Sequence, residues 1–102
     1  SLDIDVVGMS VTDLSDNIRQ EFNVPKDIQG VIVVKTNPNG EATDKGLSPG
    51  DVIVEIDQKP VATPKELEVA MTKAKKAKRP SILLLVNREG DVRFVALKLK
   101  DK

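Results

Sequence analysis

The 102-residue chain has no cysteine, histidine, tryptophan or tyrosine, and only two phenylalanines. Without imidazole or thiol it holds no Ser–His or Cys–His nucleophile system, no Cys/His zinc site and no disulfide framework. The lack of cysteine leaves the redox compartment open, because a disulfide-free domain survives in either environment. No apolar run approaches the ~18 residues that would span a bilayer. No signal peptide is visible, so an exported protein would carry its signal outside this segment. Surplus charge is lacking too: 16 Lys and Arg balance 16 Asp and Glu, whereas a dedicated nucleic-acid binder carries a basic excess. The balance is uneven, with 8 acids and 4 bases in residues 1–50 against 8 acids and 12 bases in residues 51–102.

What is there reads as globular. Hydrophobic residues make up 39% of the chain, and Gly and Pro number six each, close to ordinary usage. Area scaling for this length buries about 65% of the extended surface, enough for one core and too little for two. A single small domain without catalytic imidazole or thiol points to a binding module rather than a complete enzyme. Ser1-Leu2 reads as an extension foreign to the domain, with the folded module expected over about residues 4–100.

Residues 4–12 are apolar around Gly8, consistent with a strand interrupted by a tight loop. Leu14, Ile18 and Phe22 recur every four residues, one stripe of a helix capped by Thr12 or Asp13 and stopped at Val24-Pro25. Val31-Ile32-Val33-Val34 is a β-branched run and predicts a buried strand. Asn37-Pro38-Asn39-Gly40 is a turn, and Glu41 to Lys45 fits one helical turn ending at Gly46. Val52 to Ile56 is a short strand. Thr63, Pro64 and Glu66 spell an N-cap, a first helical proline and a capping box. The helix that follows, over 63–78, carries the apolar stripe Leu67, Ala70, Met71 and Ala74. Ser81 to Arg88 and Val92 to Leu99 are two strands joined by a hairpin at Glu89-Gly90-Asp91. The sequence predicts an α+β fold, with mostly antiparallel strands and two helices over the open ends.

Five groups of residues invite a functional reading. Lys73, Lys75, Lys76, Lys78 and Arg79 suit an anionic surface, but cations at a helix C-terminus also answer the dipole, and no aromatic residue is interleaved for base stacking. The acid pairs Asp51/Asp57 and Asp3/Asp5 suit acid–base chemistry, yet each falls at a turn or strand end, where aspartate bonds local amides. A Ser–Lys dyad built on Ser10 or Ser81 has no motif behind it. Gly40 and Gly46 lack the Gly-Lys-Ser/Thr of a phosphate loop. Gly8, within Val6-Val7-Gly8-Met9, is either a bend in a strand or a loop whose amides face an anion beside an open strand edge.

The stretches Gly30-Val31-Ile32-Val33-Val34, Asn39-Gly40-Glu41-Ala42, Lys45-Gly46-Leu47-Ser48-Pro49-Gly50-Asp51-Val52-Ile53 and Ile56-Asp57-Gln58-Lys59-Pro60-Val61 together resemble the PDZ domain. The Gly-Leu-x-x-Gly-Asp-x-Ile core is the most specific part, and the helix at 63–78 and the closing strands extend the resemblance over nearly the whole chain. It is most similar to the PDZ domains of HtrA/Do-like serine proteases of the bacterial envelope, and its ending resembles their second, C-terminal copy. The resemblance implies a partly open antiparallel barrel or sandwich of five to six strands capped by two helices. It also implies peptide binding by strand addition. The carboxylate loop would be Val6-Val7-Gly8-Met9, with Met9-Ser10-Val11 as the strand that pairs with the peptide. Pro64, Leu67, Glu68 and Met71 would form the opposing wall, and Val7, Met9, Val11 and Met71 the pocket for the last side chain. Many PDZ domains start this helix with a histidine that reads a hydroxyl; Pro64 stands there, implying an apolar preference. Asp3 and Asp5 would repel a carboxylate, and Lys75 would offset them.

The implied partners are C-terminal or extended peptides of unfolded proteins. Neighbouring protease or PDZ domains of an oligomer are a second class, in which the domain serves assembly. A PDZ module of another bacterial protease class is a further alternative. No cofactor, no nucleic acid and no membrane insertion are expected. The resemblance implies a periplasmic or envelope location and a parent serine endopeptidase whose catalytic residues lie elsewhere.

Overall fold

The computed structural model describes residues 1–99. Ten elements follow one another: β1 (Leu2–Ile4), β2 (Met9–Asp13), α1 (Asp16–Phe22), β3 (Val31–Thr36), α2 (Glu41–Asp44), β4 (Val52–Ile56), β5 (Lys59–Pro60), α3 (Pro64–Lys76), β6 (Ser81–Arg88) and β7 (Asp91–Lys98). Six strands form one antiparallel path in the order β1-β2-β3-β4-β6-β7, and β5 pairs with β4 off that path. The sheet is open rather than closed into a barrel. Among the described residues two longer helices, α1 and α3, accompany it together with the short helical turn α2 expected at Glu41 to Lys45, and the strands number seven where five to six were expected.

The two strands without a forecast are the short ones, β1 and β5. β1 begins at Leu2, so ordered structure starts two residues ahead of the expected beginning of the module. α1 starts later than expected: the hydroxyl of Ser15, not Thr12 or Asp13, accepts the Ile18 amide at 3.3 Å. Strand β2 runs on through Asp13 and takes the two expected caps into the sheet. β6 and its hairpin fall where expected, with Glu89 and Gly90 both at positive φ in a two-residue turn between Arg88 and Asp91.

Alternation along the strands builds the core. Val31 and Val33 of β3, Ile53 and Ile56 of β4, Leu84 and Val86 of β6, and Val95 and Leu97 of β7 face one buried cluster. Helix α3 closes it with Leu67, Met71 and Ala74, spaced one and two turns apart; Ala70, the fourth residue of the expected stripe, is only partly buried. The capping box is formed as the sequence spells it. The Thr63 hydroxyl accepts the Glu66 amide at 3.1 Å, and the Glu66 carboxylate accepts the amides of Ala62 and Thr63. This pins the start of α3 beside the sheet and fixes which face it presents to β2.

Candidate functional site

The loop Asp5–Gly8 between β1 and β2 is held from behind by the 37–42 turn. The Asn37 amide donates to the Gly8 carbonyl and the Ala42 amide to the Val7 carbonyl, both at 2.8 Å. The carbonyls of Val7 and Gly8 are thus both taken up by the turn. Gly8 sits at φ 74, and a Cβ there would lie 3.0 Å from the Gly40 Cα and 3.2 Å from the Asn37 Cβ. Two glycines 32 positions apart in sequence therefore meet back to back, and the closeness of that contact is what brings the loop against the turn.

The amides of Val7 and Gly8 converge on one acceptor, the Ile4 carbonyl, at 3.3 and 3.0 Å. Two of the three amides expected to face a carboxylate thus point at a single oxygen. That oxygen belongs to the chain itself. The edge of β2 expected to be open is paired antiparallel with β1 in the register Leu2↔Val11, Asp3↔Ser10 and Ile4↔Met9. Leu2 and Ile4 face inward with Met9 and Val11; Asp3 and Ser10 face outward, joined by a 2.6 Å hydrogen bond from the Ser10 hydroxyl to the Asp3 carboxylate. Ile4 is 3% exposed and shares one buried cluster with Val7, Met9, Val11, Leu67 and Met71, the residues expected to line the groove; Leu2 packs against the same cluster.

At the loop end, Val6 and the α3 residues Met71, Thr72, Lys75 and Lys76 line a cleft of about 510 Å³. Lys75 therefore stands beside the loop. Pro64, at the other end of α3, is half-buried at the first helical position, and Glu68 is half-buried one turn on. On the outer side of the loop, Asp3 and Asp5 share a cleft with Gly8, Met9, Ser10 and Lys35. Ser10 is committed to Asp3, a bond the sequence does not announce, because nothing local marks residues three and ten as neighbours.

The acid pair Asp51 and Asp57 is structural. Arg88 grips Asp51 through Nε and Nη2, each at 2.7 Å, and the Ser48 amide adds a third bond at 3.0 Å. The bond to Asp51 lifts the Arg88 guanidinium above its already high range. Asp57 takes a two-pronged grip from Arg79, and that bond holds its carboxyl below the ordinary range despite partial burial. Glu41 is pushed up by burial, but bonds from Lys45 and the Lys98 amide outweigh this and hold it low. Each acid is locked into a turn or strand junction, and the two of the pair serve different elements. Of the lysine cluster, Lys73, Lys75 and Lys76 occupy the last turn of α3, where they oppose the helix dipole. Lys78, at φ 61, ends the helix in the left-handed region.

The sequence matches the family model described as the PDZ domain over residues 6–99. Among curated relatives, a probable periplasmic serine endoprotease, DegP-like, of Brucella suis is 35% identical over 77 residues, which is 76% of this chain and 15% of that protein. The magnetosome formation protease MamE of Paramagnetospirillum magneticum is 33% identical over 94 residues, 92% of this chain and 12% of that protein. The chain thus spans only about an eighth to a seventh of the length of these relatives. Among solved structures, the HtrA3 PDZ domain bound to a phage-derived ligand (FGRWV) matches with a TM-score of 0.71 and 23% identity, over 90% of this chain and 81% of that one. The HtrA-type protease AlgW with a decapeptide matches with a TM-score of 0.77 and 23% identity, over 94% of this chain and 29% of that one.

Proposed function

The chain belongs to the PDZ domain family, and from that premise we propose that it is a non-catalytic peptide-binding module of an HtrA-type serine protease. It takes the C-termini or extended segments of partner proteins along β2 by strand addition. The observation that carries this reading is the convergence of the Val7 and Gly8 amides on one oxygen, at the end of a strand added to β2.

In the complex, the carboxylate of the peptide's last residue takes the place of that oxygen. Val6, Val7, Gly8 and Met9 form its cradle. Ser10 and Val11 continue the strand along which the peptide lies. Pro64, Leu67 and Met71 make the helix wall, and Lys75 adds positive charge at the loop end. A proline at the start of α3 offers no side-chain donor to a peptide hydroxyl, which favours apolar over Ser/Thr-bearing ligands.

The energetics suit a modest binder. Hydrogen bonds to a carboxylate contribute about 1.5–3 kcal/mol each, and one buried aliphatic side chain about 1.5–3 kcal/mol. Ordering the peptide consumes part of that. A dissociation constant near 1 μM, about −8 kcal/mol, follows. The catalytic residues of the parent protease lie in another domain. The names of the DegP-like relatives support a periplasmic or envelope location.

A second reading, an assembly element docking on a neighbouring subunit, draws on Val92 and Phe94 of β7, which are 56% and 59% exposed on the outer face of the sheet. Chemical-shift mapping separates the two. Titration with a short peptide ending in an aliphatic residue should move the amide resonances of Val7 to Ser10 when the peptide is a free acid and leave them when it is a C-terminal amide. Shifts confined to β7 would favour assembly instead.

A further inference from the structure

Residues 2–4 lie where a bound peptide would lie. We propose that Leu2-Asp3-Ile4 is a tethered pseudo-ligand: β1 closes the groove of its own chain and competes with incoming C-termini, so that binding requires its displacement. The proposal rests on the reading of the groove as a peptide site.

Three features of β1 match what a ligand would present. It runs antiparallel to β2 with its later residue toward the loop, the direction in which a C-terminal peptide brings its last residue to the cradle. The Ile4 carbonyl receives the Val7 and Gly8 amides in place of a carboxylate oxygen. Ile4 and Leu2 alternate inward, as the last and third-from-last side chains of an added strand must, and Ile4 is almost fully buried. The Ser10–Asp3 bond sits on the outward face between them and fixes the register, since a slip of one residue would turn Leu2 and Ile4 outward.

The competition has a defined balance. A neutral carbonyl is a weaker acceptor than a carboxylate, so a free C-terminus gains more from the same two amides. Against this, the tether holds β1 at a local concentration in the millimolar range. If β1 is docked nine-tenths of the time, apparent affinity falls about tenfold. The occupant also describes its competitor: an aliphatic last residue in the place of Ile4, an acceptor side chain next to it for the Ser10 hydroxyl, and a second aliphatic residue in the place of Leu2.

The test uses a fluorescein-labelled peptide ending Leu-Asp-Ile with a free carboxylate, against three forms of the chain. In the released form, Leu2→Glu with Ile4→Glu removes the inward side chains of β1. In the locked form, Asp3→Cys with Ser10→Cys joins register partners in a chain that has no other cysteine. The released form should bind about tenfold tighter than the native chain. The locked form should not bind when oxidised and should recover on reduction, which serves as its own folding control. Equal affinity of native and released forms, with the acid still preferred over the amide, overturns the tethered ligand and leaves the groove reading standing. Binding to the oxidised locked form as tight as to the native chain also overturns it. No binding by any form overturns the groove reading itself.

Discussion

Arg88 grips Asp51 with two hydrogen bonds of 2.7 Å, and the aspartate so held is 1% exposed. Asp51 is the acid of the Gly-Leu-x-x-Gly-Asp-x-Ile core, and Arg88 reaches it from the far end of β6 while also donating to the Gly46 carbonyl at 2.7 Å. One guanidinium therefore ties the turn before β4 to the β6–β7 hairpin. Arg88→Leu leaves a buried carboxylate without its partner, which costs about 3 kcal/mol, at the low end for a buried pair because Arg88 is itself partly exposed. Urea unfolding measures it. A loss under about 1 kcal/mol, the value of a surface pair, would contradict the assignment.

Gly8 is confined by both its dihedral angle and its neighbours. At φ 74, with the Gly40 Cα 3.0 Å from where a Cβ would stand, Gly8→Ala costs about 1–2 kcal/mol for the left-handed backbone alone. It also shifts the loop amides, so affinity for a free-acid peptide should fall together with the melting temperature. A variant with native stability and native affinity would show that the Gly8–Gly40 contact does not set the loop.

The pH response follows from Asp57 and Glu41, both held below the ordinary carboxylate range. Such groups bind fewer protons folded than unfolded. Their contribution is therefore complete above the unfolded values, about pH 4, and is lost as the pH falls through the folded ones. With no histidine in the chain, it has no side chain whose ordinary pKa lies between pH 5 and 8. The melting temperature and peptide affinity should be flat across that range, and stability should fall below about pH 4. Asp57→Asn should make the acid-side fall shallower. A midpoint near pH 6.5 in either quantity would contradict the account.

Much of this architecture was written in local sequence. The capping box at Thr63 and Glu66, the β-branched run at 31–34, the hairpin at Glu89-Gly90 and the apolar positions Leu67, Met71 and Ala74 rest on spacing within a few residues. A tight loop at Gly8 was legible in the apolar run that it interrupts, whereas a carboxylate-binding role for Val6–Met9 rests on likeness to a known family. What the residues did not announce is contact across distance: Gly8 against Gly40, Ser10 with Asp3, and above all β1 on the edge of β2. A three-residue strand has too few positions to show a period, and Leu2 and Ile4 around an aspartate look like any short extension. The start of α1 was misplaced for a related reason. Thr12, Asp13 and Ser15 are all competent caps, and the choice was made by how far β2 follows β3.

Lys75 lines the cleft beside Val6 at the end of the groove where the carboxylate is proposed to sit. Lys75→Glu should weaken binding of a free-acid peptide and flatten its dependence on salt, because the cation lost is a screened, partly exposed one. Binding of the C-terminal amide should change little. Unchanged affinity and salt dependence for the free acid would remove Lys75 from the site.

The central claim is that the Val7 and Gly8 amides form a carboxylate cradle on a strand-adding groove. Fluorescence polarisation of short apolar peptides, each as a free acid and as its C-terminal amide, tests it most directly, on the native chain and on the Leu2→Glu, Ile4→Glu form. The account predicts micromolar binding of the free acid, tighter to the second form, and an amide at least about tenfold weaker, the loss expected when a charge-assisted bond is removed. Equal binding of acid and amide, or no binding to either protein, would contradict it.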